Sequence, residues 1–468
     1  MATKAPLQTA DKLMRILMFT MALSMMSGVM FNIALPKISS EFHLSIAQVS
    51  WLSSAYILIY AIGAVTYGKL ADRYRLKDLV TFGLLLFAVG SLIGLTSQTF
   101  AMALIGRCLQ ASGAAVIPAM SMIIPLRFFP PERRGAALGM TAVGLAFGNA
   151  LGPVVAALLI STLQWRWLFA VSLLSLVTLP FYRAYLGSER TVSRGRFDWL
   201  GGLLLGITIA LLLLSVTTGI WLLLFGLLAL GLFIARICTA GDPFIAPKLF
   251  QNRKYTLGLT ISFLVSGTCC SLFVLSPLLL ADVQQLPSIW IGFAMIPAAA
   301  ASAIFGRKGG KLADTKGNLF VVRIASSLLL SSFLLLSTFT ASSALWIALF
   351  LVLGNVGQSF MTIAISNSVS RNLPADQVGV GMGMLSMANF IGQGIAISIY
   401  GKVVDFESTA SVPSWNPLYS YVSGFIFSNL YVVLAVSQIL IFTLYVVTFG
   451  RQKRKVSEQK KSAVLSNI

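Results

Sequence analysis

Apolar stretches of about 20 residues recur along the whole chain and are separated by short polar connections. A helix of about 20 apolar residues is long enough to cross the roughly 30 Å hydrocarbon core of a bilayer. The pattern therefore predicts fourteen membrane-spanning helices. They cover residues 14–36, 47–70, 78–97, 100–124, 135–159, 165–186, 200–217, 220–237, 256–281, 289–312, 319–339, 343–366, 378–401 and 425–449.

The composition supports this prediction. Hydrophobic residues make up 57% of the 468 residues, charged residues only 10%, and the mean hydropathy is +0.87. These values leave too little polar surface for a compact soluble protein. The first apolar stretch spans a full membrane width without a cleavage site, so we expect no cleaved signal peptide. The fold class predicted is an all-α membrane protein.

The basic residues lie mostly on one side of the predicted spans. All but four of the 34 Lys and Arg fall in the termini or the even-numbered connections; Lys37, Arg166 and Lys402 lie on the other side, and Arg107 lies within a span. Because basic residues accumulate on the cytoplasmic side, we expect a multi-pass protein of the cell membrane with both termini cytoplasmic. The net charge of +20 then reflects topology, and no nucleic-acid partner is expected.

Residues suited to a metal or catalytic site are scarce. The four cysteines (Cys108, Cys238, Cys269 and Cys270) lie in apolar spans without metal-ligand spacing, and the single histidine, His43, is in a predicted external loop. We expect no metal, no cofactor and no enzymatic activity.

Two segments repeat at almost the same offset. Gly68-Lys-Leu-Ala-Asp72, after the second span, matches Gly310-Lys-Leu-Ala-Asp314, after the tenth, and residues 127–140 match residues 371–384. Repeated halves are typical of membrane transporters. The offset corresponds to eight helices, whereas each half needs six, which predicts a 6 + 2 + 6 arrangement. The predicted units are a six-helix bundle over 1–187, a linker with two additional helices over 188–254, and a second bundle with a basic tail over 255–468.

Several motifs carry a resemblance to one family. Gly68 to Lys77 resembles the loop motif G-x-L-a-D-r-x-G-r-k, with Arg75 in place of glycine, and Gly144 to Pro153 resembles the fifth-helix motif G-x-x-x-G-P. Arg107 to Gly113 resembles the fourth-helix pattern R-x-x-Q-G, with Ala111 in place of the glycine, and the segments 197–201 and 242–244 resemble the flanks of an additional helix pair. The chain thus resembles major facilitator superfamily transporters of the fourteen-helix drug:proton antiporter type, particularly the tetracycline/proton antiporters of Gram-positive bacteria.

The fifth predicted helix carries a small-residue face. Gly144, Gly148 and Gly152 recur every four residues, so a neighbouring helix can approach closely, and Pro153 permits a bend. In a carrier that alternates between two open states, such a face can lie at the moving interface between the two halves. Ordinary close packing of a membrane helix is the alternative.

Charged residues in the repeated loops predict a gate. Asp72 and Arg73 in the first half, and Asp314 in the second, can hold a helix N-terminus or an arginine such as Arg127 or Arg134 in one state and release it in the other. Simple solvated loop charges are the alternative, but the repetition of the pattern in both halves favours a gate.

Arg107 is the one charge placed within a span. An unpaired guanidinium in hydrocarbon is costly, so Arg107 must face a wet cavity or polar partners, and Gln110 lies one turn away. The resemblance implies a role for this arginine in proton coupling. A countercharge for an anionic substrate is the alternative role.

The membrane carboxylates expected of a proton antiporter are absent. Every Asp and Glu falls in a loop, a terminus or near a span edge, and Gly28, Asn149 and Gln393 stand where the tetracycline antiporters carry glutamates. A buried carboxylate with a raised pKa is the usual site at which proton and substrate compete. Three explanations follow: an edge carboxylate, with Asp282 as first candidate, handles protons; another gradient drives transport; or the substrate carries the exchanged charge.

Polar residues near mid-span are the expected substrate contacts, namely Asn32, Gln110, Asn149, Asn355, Gln358, Asn389 and Gln393. Met30, Phe31 and Phe147 are expected to add an adaptable apolar wall, although packing is the commoner role for such residues.

The sequence therefore predicts a transporter that exports amphiphilic small molecules, in the manner of multidrug efflux, by alternating access. The resemblance implies protons as the coupling ion; the expected partners are the substrate and membrane lipid, and we expect a monomer. The first alternative is an uncoupled or differently coupled carrier of an endogenous metabolite or lipid-like anion. The second is a membrane receptor that kept the fold without transport.

Overall fold

The computed structural model describes residues 7–44, 46–49, 51–186, 198–218, 220–374, 377–406, 414–421 and 423–450. Regular secondary structure in these ranges is helical, and no β-strand occurs among them. We number the segments of membrane-spanning length α1 (Leu7–Phe42), α2 (Trp51–Ala71), α3 (Leu76–Leu95), α4 (Phe100–Phe128), α5 (Arg134–Thr162), α6 (Trp167–Tyr185), α7 (Trp199–Thr218), α8 (Ile220–Thr239), α9 (Arg253–Asp282), α10 (Ser288–Thr315), α11 (Asn318–Thr338), α12 (Ala344–Ser370), α13 (Val378–Phe406) and α14 (Phe425–Phe449).

These segments confirm the predicted fold class. Thirteen of the described segments are long and apolar enough to cross a membrane, and a shorter apolar stretch, Trp199–Leu212, lies at the seventh predicted span. Each of the fourteen predicted spans therefore corresponds to one segment of the structure.

Proline interrupts two of the segments. In α4 the stretches Phe100–Ala114 and Val116–Phe128 meet at Ala115, because Pro118 lacks an N–H and its ring crowds the Ala114 carbonyl. In α6 the stretch Leu174–Thr178 is a 3₁₀ helix and precedes Pro180. Loosened turns of this kind are tolerated within membrane helices because neighbouring groups satisfy the freed carbonyls.

Two bundles form the body of the protein. In the first half α3 packs on α4, and α1 packs on α5; in the second half α11 packs on α12, and α9 packs on α13. The largest contacts between the halves are α5 against α10 and α2 against α13, and smaller ones join α5 to α12 and α4 to α13. At one end of the protein, hydrogen bonds join the connections α2–α3, α4–α5, α10–α11 and α12–α13 and the start of α1. We call this end the latch face.

The additional pair, α7 and α8, lies beside the α2–α13 contact, since α7 touches both of those helices. The Asp198 carboxylate precedes α7 and accepts hydrogen bonds from the Gly201 and Phe244 N–H groups and from Arg236 of α8, at 3.0–3.2 Å. Burial raises the pKa of Asp198, but these hydrogen bonds outweigh it and hold the pKa below its usual range. Asp198 therefore joins both helices of the pair to the segment that follows them.

The segment after α8 is tied in turn to the first half. Arg73 pairs with Asp242 at 2.6 Å, and Lys69 donates to the Pro243 carbonyl at 3.0 Å. The two sequence segments recognised as flanks of the additional pair thus form its attachment to the α2–α3 connection.

A polar cluster closes the opposite end of the first half. Glu41 accepts hydrogen bonds from the Trp165 indole at 2.6 Å and pairs with Arg166 at 2.7 Å. Glu41 lies beyond the apolar stretch Thr9–Leu35 of α1. Partial burial raises the pKa of Glu41, but the hydrogen bonds from Arg166 and Trp165 and the positive charges of Arg166 and Lys37 outweigh it, so the net pKa is below its usual range.

Candidate functional site: the latch face and the cleft between the halves

The Asp72 carboxylate binds the start of α13 in the other half. Its two oxygens accept hydrogen bonds from the Gly379 and Val380 N–H groups at 2.9 and 3.0 Å. The first N–H groups of a helix have no partner within it, and a carboxylate there also meets the positive end of the helix dipole. Burial raises the pKa of Asp72, and the N–H groups and Arg127 offset only part of this rise. The contact therefore sets a mostly buried carboxylate against the start of a helix in the other half.

Asp314 makes the equivalent contact from the second half. It accepts hydrogen bonds from the Gly135 and Ala136 N–H groups at 2.8 and 2.9 Å, at the start of α5. Both carboxylates bind the second and third residues of a helix in the opposite half. The repeated motif therefore builds a pair of related latches on one face of the protein.

Glycines allow the helices to meet at both latches. A Cβ atom at Gly68 would lie 2.5 Å from the Gly379 carbonyl oxygen, and one at Gly139 would lie 2.6 Å from the Gly306 carbonyl oxygen. At Gly310 an added Cβ would collide with the Gly135 carbonyl. The predicted interface did not include these glycines, although all but Gly306 lie within the repeated segments, and the repeat is the signal that points to them.

The predicted position of Gly144, Gly148 and Gly152 between the halves is wrong. Added Cβ atoms at these glycines would meet Met18, Ala22 and Val29, which all belong to α1 in the same half. The face serves close packing of α5 on α1, and Pro153 lies within α5, which continues to Thr162. The spacing correctly indicated a close helix contact, but spacing alone does not identify the partner helix.

Three arginines of the predicted gate have different partners. Arg127 donates to the Ala71 carbonyl at 2.7 Å and lies 3.4 Å from Asp72, as the gate prediction proposed. Arg134 donates to the Leu126 and Phe129 carbonyls and not to a gate carboxylate. Arg73 pairs with Asp242, which follows the additional pair of helices.

A cleft between the halves collects three of the predicted polar contacts. Asn149 of α5 faces Asn355 and Gln358 of α12. The remaining lining residues are Ala142, Leu145, Ala146, Phe273, Ser302, Ser359 and Thr362. Ala142, Leu145, Ala146 and Asn149 have the spacing of a single helix face. None of these lining residues is charged, and the cleft, at about 20 Å³, has room for about one water molecule in this state of the protein.

The other predicted polar contacts lie outside this cleft. The Asn32 amide oxygen accepts a hydrogen bond from Ser53 at 2.7 Å, and Asn389 accepts from Ser262 and Ser266 of α9. Gln110 is fully buried and donates to Ser91 at 2.8 Å. Gln393 is half-buried on α13 and is not among the residues that line the cleft.

The three residues predicted to form an apolar wall, Met30, Phe31 and Phe147, do not lie together at the cleft. Met30 and Phe31 are fully buried within the first half. Phe147 is 40% exposed and lies off the cleft-facing side of α5. In this state of the protein, none of the three borders the cleft.

Arg107 lies inside the first half and not in the cleft. Its side chain is fully buried between the rings of Phe31 and Tyr56, and it donates to Gln110 at 2.5 Å. The prediction of polar partners holds for Gln110, whereas the two aromatic rings were not anticipated. Asp282, the other coupling candidate, is the exposed last residue of α9.

No group of three or more metal-ligating residues occurs in the part of the chain that the structure describes.

Comparison with known proteins identifies relatives. The profile of the Major Facilitator Superfamily matches residues 17–397. Multidrug resistance protein 3 of Bacillus subtilis is 25% identical over 77% of this chain and 73% of its own length, and the lincomycin resistance protein LmrB of Listeria monocytogenes is 28% identical over 63% and 65%. The riboflavin transporter RibZ of Clostridioides difficile is 25% identical over 78% and 81%.

A solved structure shares the fold. The crystal structure of the human organic anion transporter MFSD10 superposes with a TM-score of 0.64 over 93% of this chain and 99% of that one, at 16% identity. At this identity the similarity concerns the fold alone.

Proposed function

The chain belongs to the major facilitator superfamily, and from that premise we propose that it exports amphiphilic small molecules from the cell by alternating access. The observation that carries the proposal is the uncharged cleft between the halves, where Asn149 faces Asn355 and Gln358. Similarity to two drug resistance proteins supports drugs as the substrate class.

The latches supply the moving part of this mechanism. With Asp72 on α13 and Asp314 on α5, the halves are held together at the latch face. Release of both carboxylates would let that face open while the halves close at the other end. The cleft would then be accessible from the opposite side of the membrane. We propose that the latch face is cytoplasmic, on the basis of the basic residues in its connections.

We propose protons as the driving ion, with Arg107 and Asp282 as the coupling candidates. The relation to drug:proton antiporters supports protons, whereas the absence of a carboxylate from the cleft lining favours another coupling ion or none. A neutral amide cannot exchange a proton for a cation, so Asn149 is the decisive position.

The test uses proteoliposomes that hold the purified protein and an internal pH dye. Cationic, neutral and anionic amphiphiles are added with and without an imposed pH gradient. We expect transport of neutral and weakly charged amphiphiles, and Asn149→Ala should lower it about tenfold, since a lost hydrogen bond in a closed cleft costs about 1–2 kcal/mol. Substrate-dependent proton movement would support antiport, and transport without it would remove the proton from the mechanism.

Phe147→Ala is the matched control, because Phe147 lies two residues away on α5 and outside the cleft. Equal losses in both variants would contradict the assignment of the cleft. Introducing a carboxylate with Asn149→Glu should shift preference toward cationic amphiphiles.

A natural metabolite is the second candidate substrate. The similarity to the riboflavin transporter is of the same order as that to the drug resistance proteins, and an uncharged amide-lined cleft also suits a neutral polar heterocycle. Saturable transport of such a metabolite without transport of drugs would favour this candidate.

A further inference from the structure

Arg107, proposed above as a coupling candidate, lies in a buried cluster in the interior of the first half. Arg107 is fully buried, and its carbon centre lies 3.9 Å from the Tyr56 ring centre and 4.1 Å from that of Phe31. It comes from α4, whereas its two ring neighbours come from α1 and α2. The site therefore lies between three helices of one half and shares no residue with the cleft.

The hydrogen bonds of this cluster are incomplete. Arg107 Nη1 donates to Gln110 at 2.5 Å and to the Ser27 carbonyl at 3.4 Å, and Nε donates to the Leu52 carbonyl at 3.4 Å. Within the described residues, buried Arg107 Nη2 has no hydrogen-bond partner, and the Tyr56 hydroxyl lies near the Ser24 and Ser27 hydroxyls without forming a hydrogen bond of ordinary geometry to either. Buried donors without partners are rare in proteins and indicate a group that completes the site.

The charge of the cluster is also uncompensated. Among the described residues, no Asp or Glu forms a salt bridge with Arg107. Its hydrogen-bond partners are an amide and carbonyls, and aromatic rings attract a cation without cancelling its charge. A lone cation within a membrane bundle is strongly unfavourable, and an anion would remove this cost.

We propose that Arg107 Nη2 and the Tyr56 hydroxyl bind a small monovalent inorganic anion inside the first half, with chloride as the abundant representative. One charge balances one guanidinium, and two donors are free to meet it. The complete burial of Arg107 and the adjoining rings of Phe31 and Tyr56 favour an ion of this size over an organic anion.

Thermal unfolding of the purified full-length protein tests the proposal. Chloride is replaced stepwise by gluconate at constant ionic strength, and unfolding is followed by tryptophan fluorescence. A saturating ligand of the folded state should raise the unfolding midpoint by about 3–5 °C. In Arg107→Gln, chloride should not raise the unfolding midpoint, and the variant should not bind radioactive chloride.

Two further variants keep the test decisive. Tyr56→Phe retains the guanidinium and the ring but loses the hydroxyl, so we expect about tenfold weaker chloride binding even if Arg107→Gln does not fold. Arg166→Gln removes an arginine of the opposite end and should leave the chloride response intact. Equal unfolding midpoints in chloride and gluconate, or a chloride response that persists in Arg107→Gln, would overturn the proposal and leave water as the occupant.

Discussion

At the scale of single residues, the latch carboxylates bind backbone N–H groups rather than side chains. Asp72 and Asp314 each satisfy two N–H groups at the start of a helix in the other half. Backbone donors at a helix start point in a fixed direction, so such a contact forms only when the helix end is correctly placed. A carboxylate of this kind therefore responds to the position of a whole helix.

Removing one latch carboxylate should shift the protein toward an open latch face. In Asp72→Ala, Gly379 and Val380 lose their acceptors, at a cost of about 1 kcal/mol, or roughly fivefold in population. Spin labels at Lys77 and Arg371, in a background without the native cysteines, should show more of the longer distance. Asp78→Ala, at an exposed position six residues away, should not. Identical distance distributions in all three proteins would contradict the latch.

Glu41 should make stability depend on pH at the opposite end. Its pKa is lowered in the folded protein, so its contribution is present above the unfolded pKa of about 4.3 and is lost as pH falls below it. Because the side chains of Glu41 and its partner Arg166 are both partly exposed, Glu41→Gln should lower the free energy of unfolding by only about 0.5–1 kcal/mol at neutral pH. Unfolding midpoints of the two proteins should differ at pH 7 and converge as the pH falls through the lowered pKa of folded Glu41. A constant difference across this range would exclude Glu41 as the source.

At the scale of helices, contact between the halves depends on glycine. The α5–α10 contact brings the Gly135 carbonyl against Gly310 so closely that no side chain fits. The α2–α13 contact uses Gly68 and Gly379 in the same way. Small residues at such contacts allow helices to approach in a membrane, where burial of apolar surface contributes little.

A single methyl group should therefore open the α5–α10 latch. Gly310→Ala places a Cβ against the Gly135 carbonyl, and overpacking of this kind costs about 1–3 kcal/mol. The spin-label distance between Lys77 and Arg371 should lengthen. Gly231→Ala is the matched control, since nothing lies within 4 Å of a Cβ at that position. If both variants behave like the parent, the glycine contact does not limit closure.

The additional pair should depend on one carboxylate. In Asp198→Ala, the first turn of α7 and Arg236 both lose their acceptor, and the buried N–H groups remain without partners, at about 2–3 kcal/mol. Hydrogen exchange at Gly201 and Phe244 should accelerate about 30-fold or more. Exchange of the amides of α2 serves as the internal reference. Unchanged protection of the Gly201 and Phe244 amides would contradict the proposed role of Asp198.

At the scale of the whole molecule, the additional pair is attached to the first half and also touches the second. Arg73, Lys69 and Asp198 hold its ends at the α2–α3 connection, while α7 also contacts α13. We infer that the pair moves with the first half when the latches open.

Topology is testable at the same scale. If the latch face is cytoplasmic, a cysteine at Leu418, which is 74% exposed, should react in intact cells with a membrane-impermeant maleimide. A cysteine at Lys248, in the exposed connection between α8 and α9, should react only after the membrane is permeabilised. Labelling in the reverse order would invert the topology and the direction of transport that we propose.

The sequence by itself determined the number of spanning segments, their boundaries to within several residues, and the repeat that relates the halves. Hydrophobic length is a local property, since each helix satisfies its own backbone and must only match the bilayer. The repeat also placed Asp72, Asp314 and the adjoining glycines at equivalent positions before any contact was known.

Only the tertiary structure decided which face of each helix meets which partner. In a membrane helix the lipid-facing and protein-facing sides are both apolar, so hydropathy does not fix the rotation of the helix. For this reason Gly148 faces α1 rather than the other half, Asn149 reaches the cleft while Phe147 does not, and Arg107 turns into the bundle. These outcomes depend on packing between segments far apart in the chain, which no local pattern specifies.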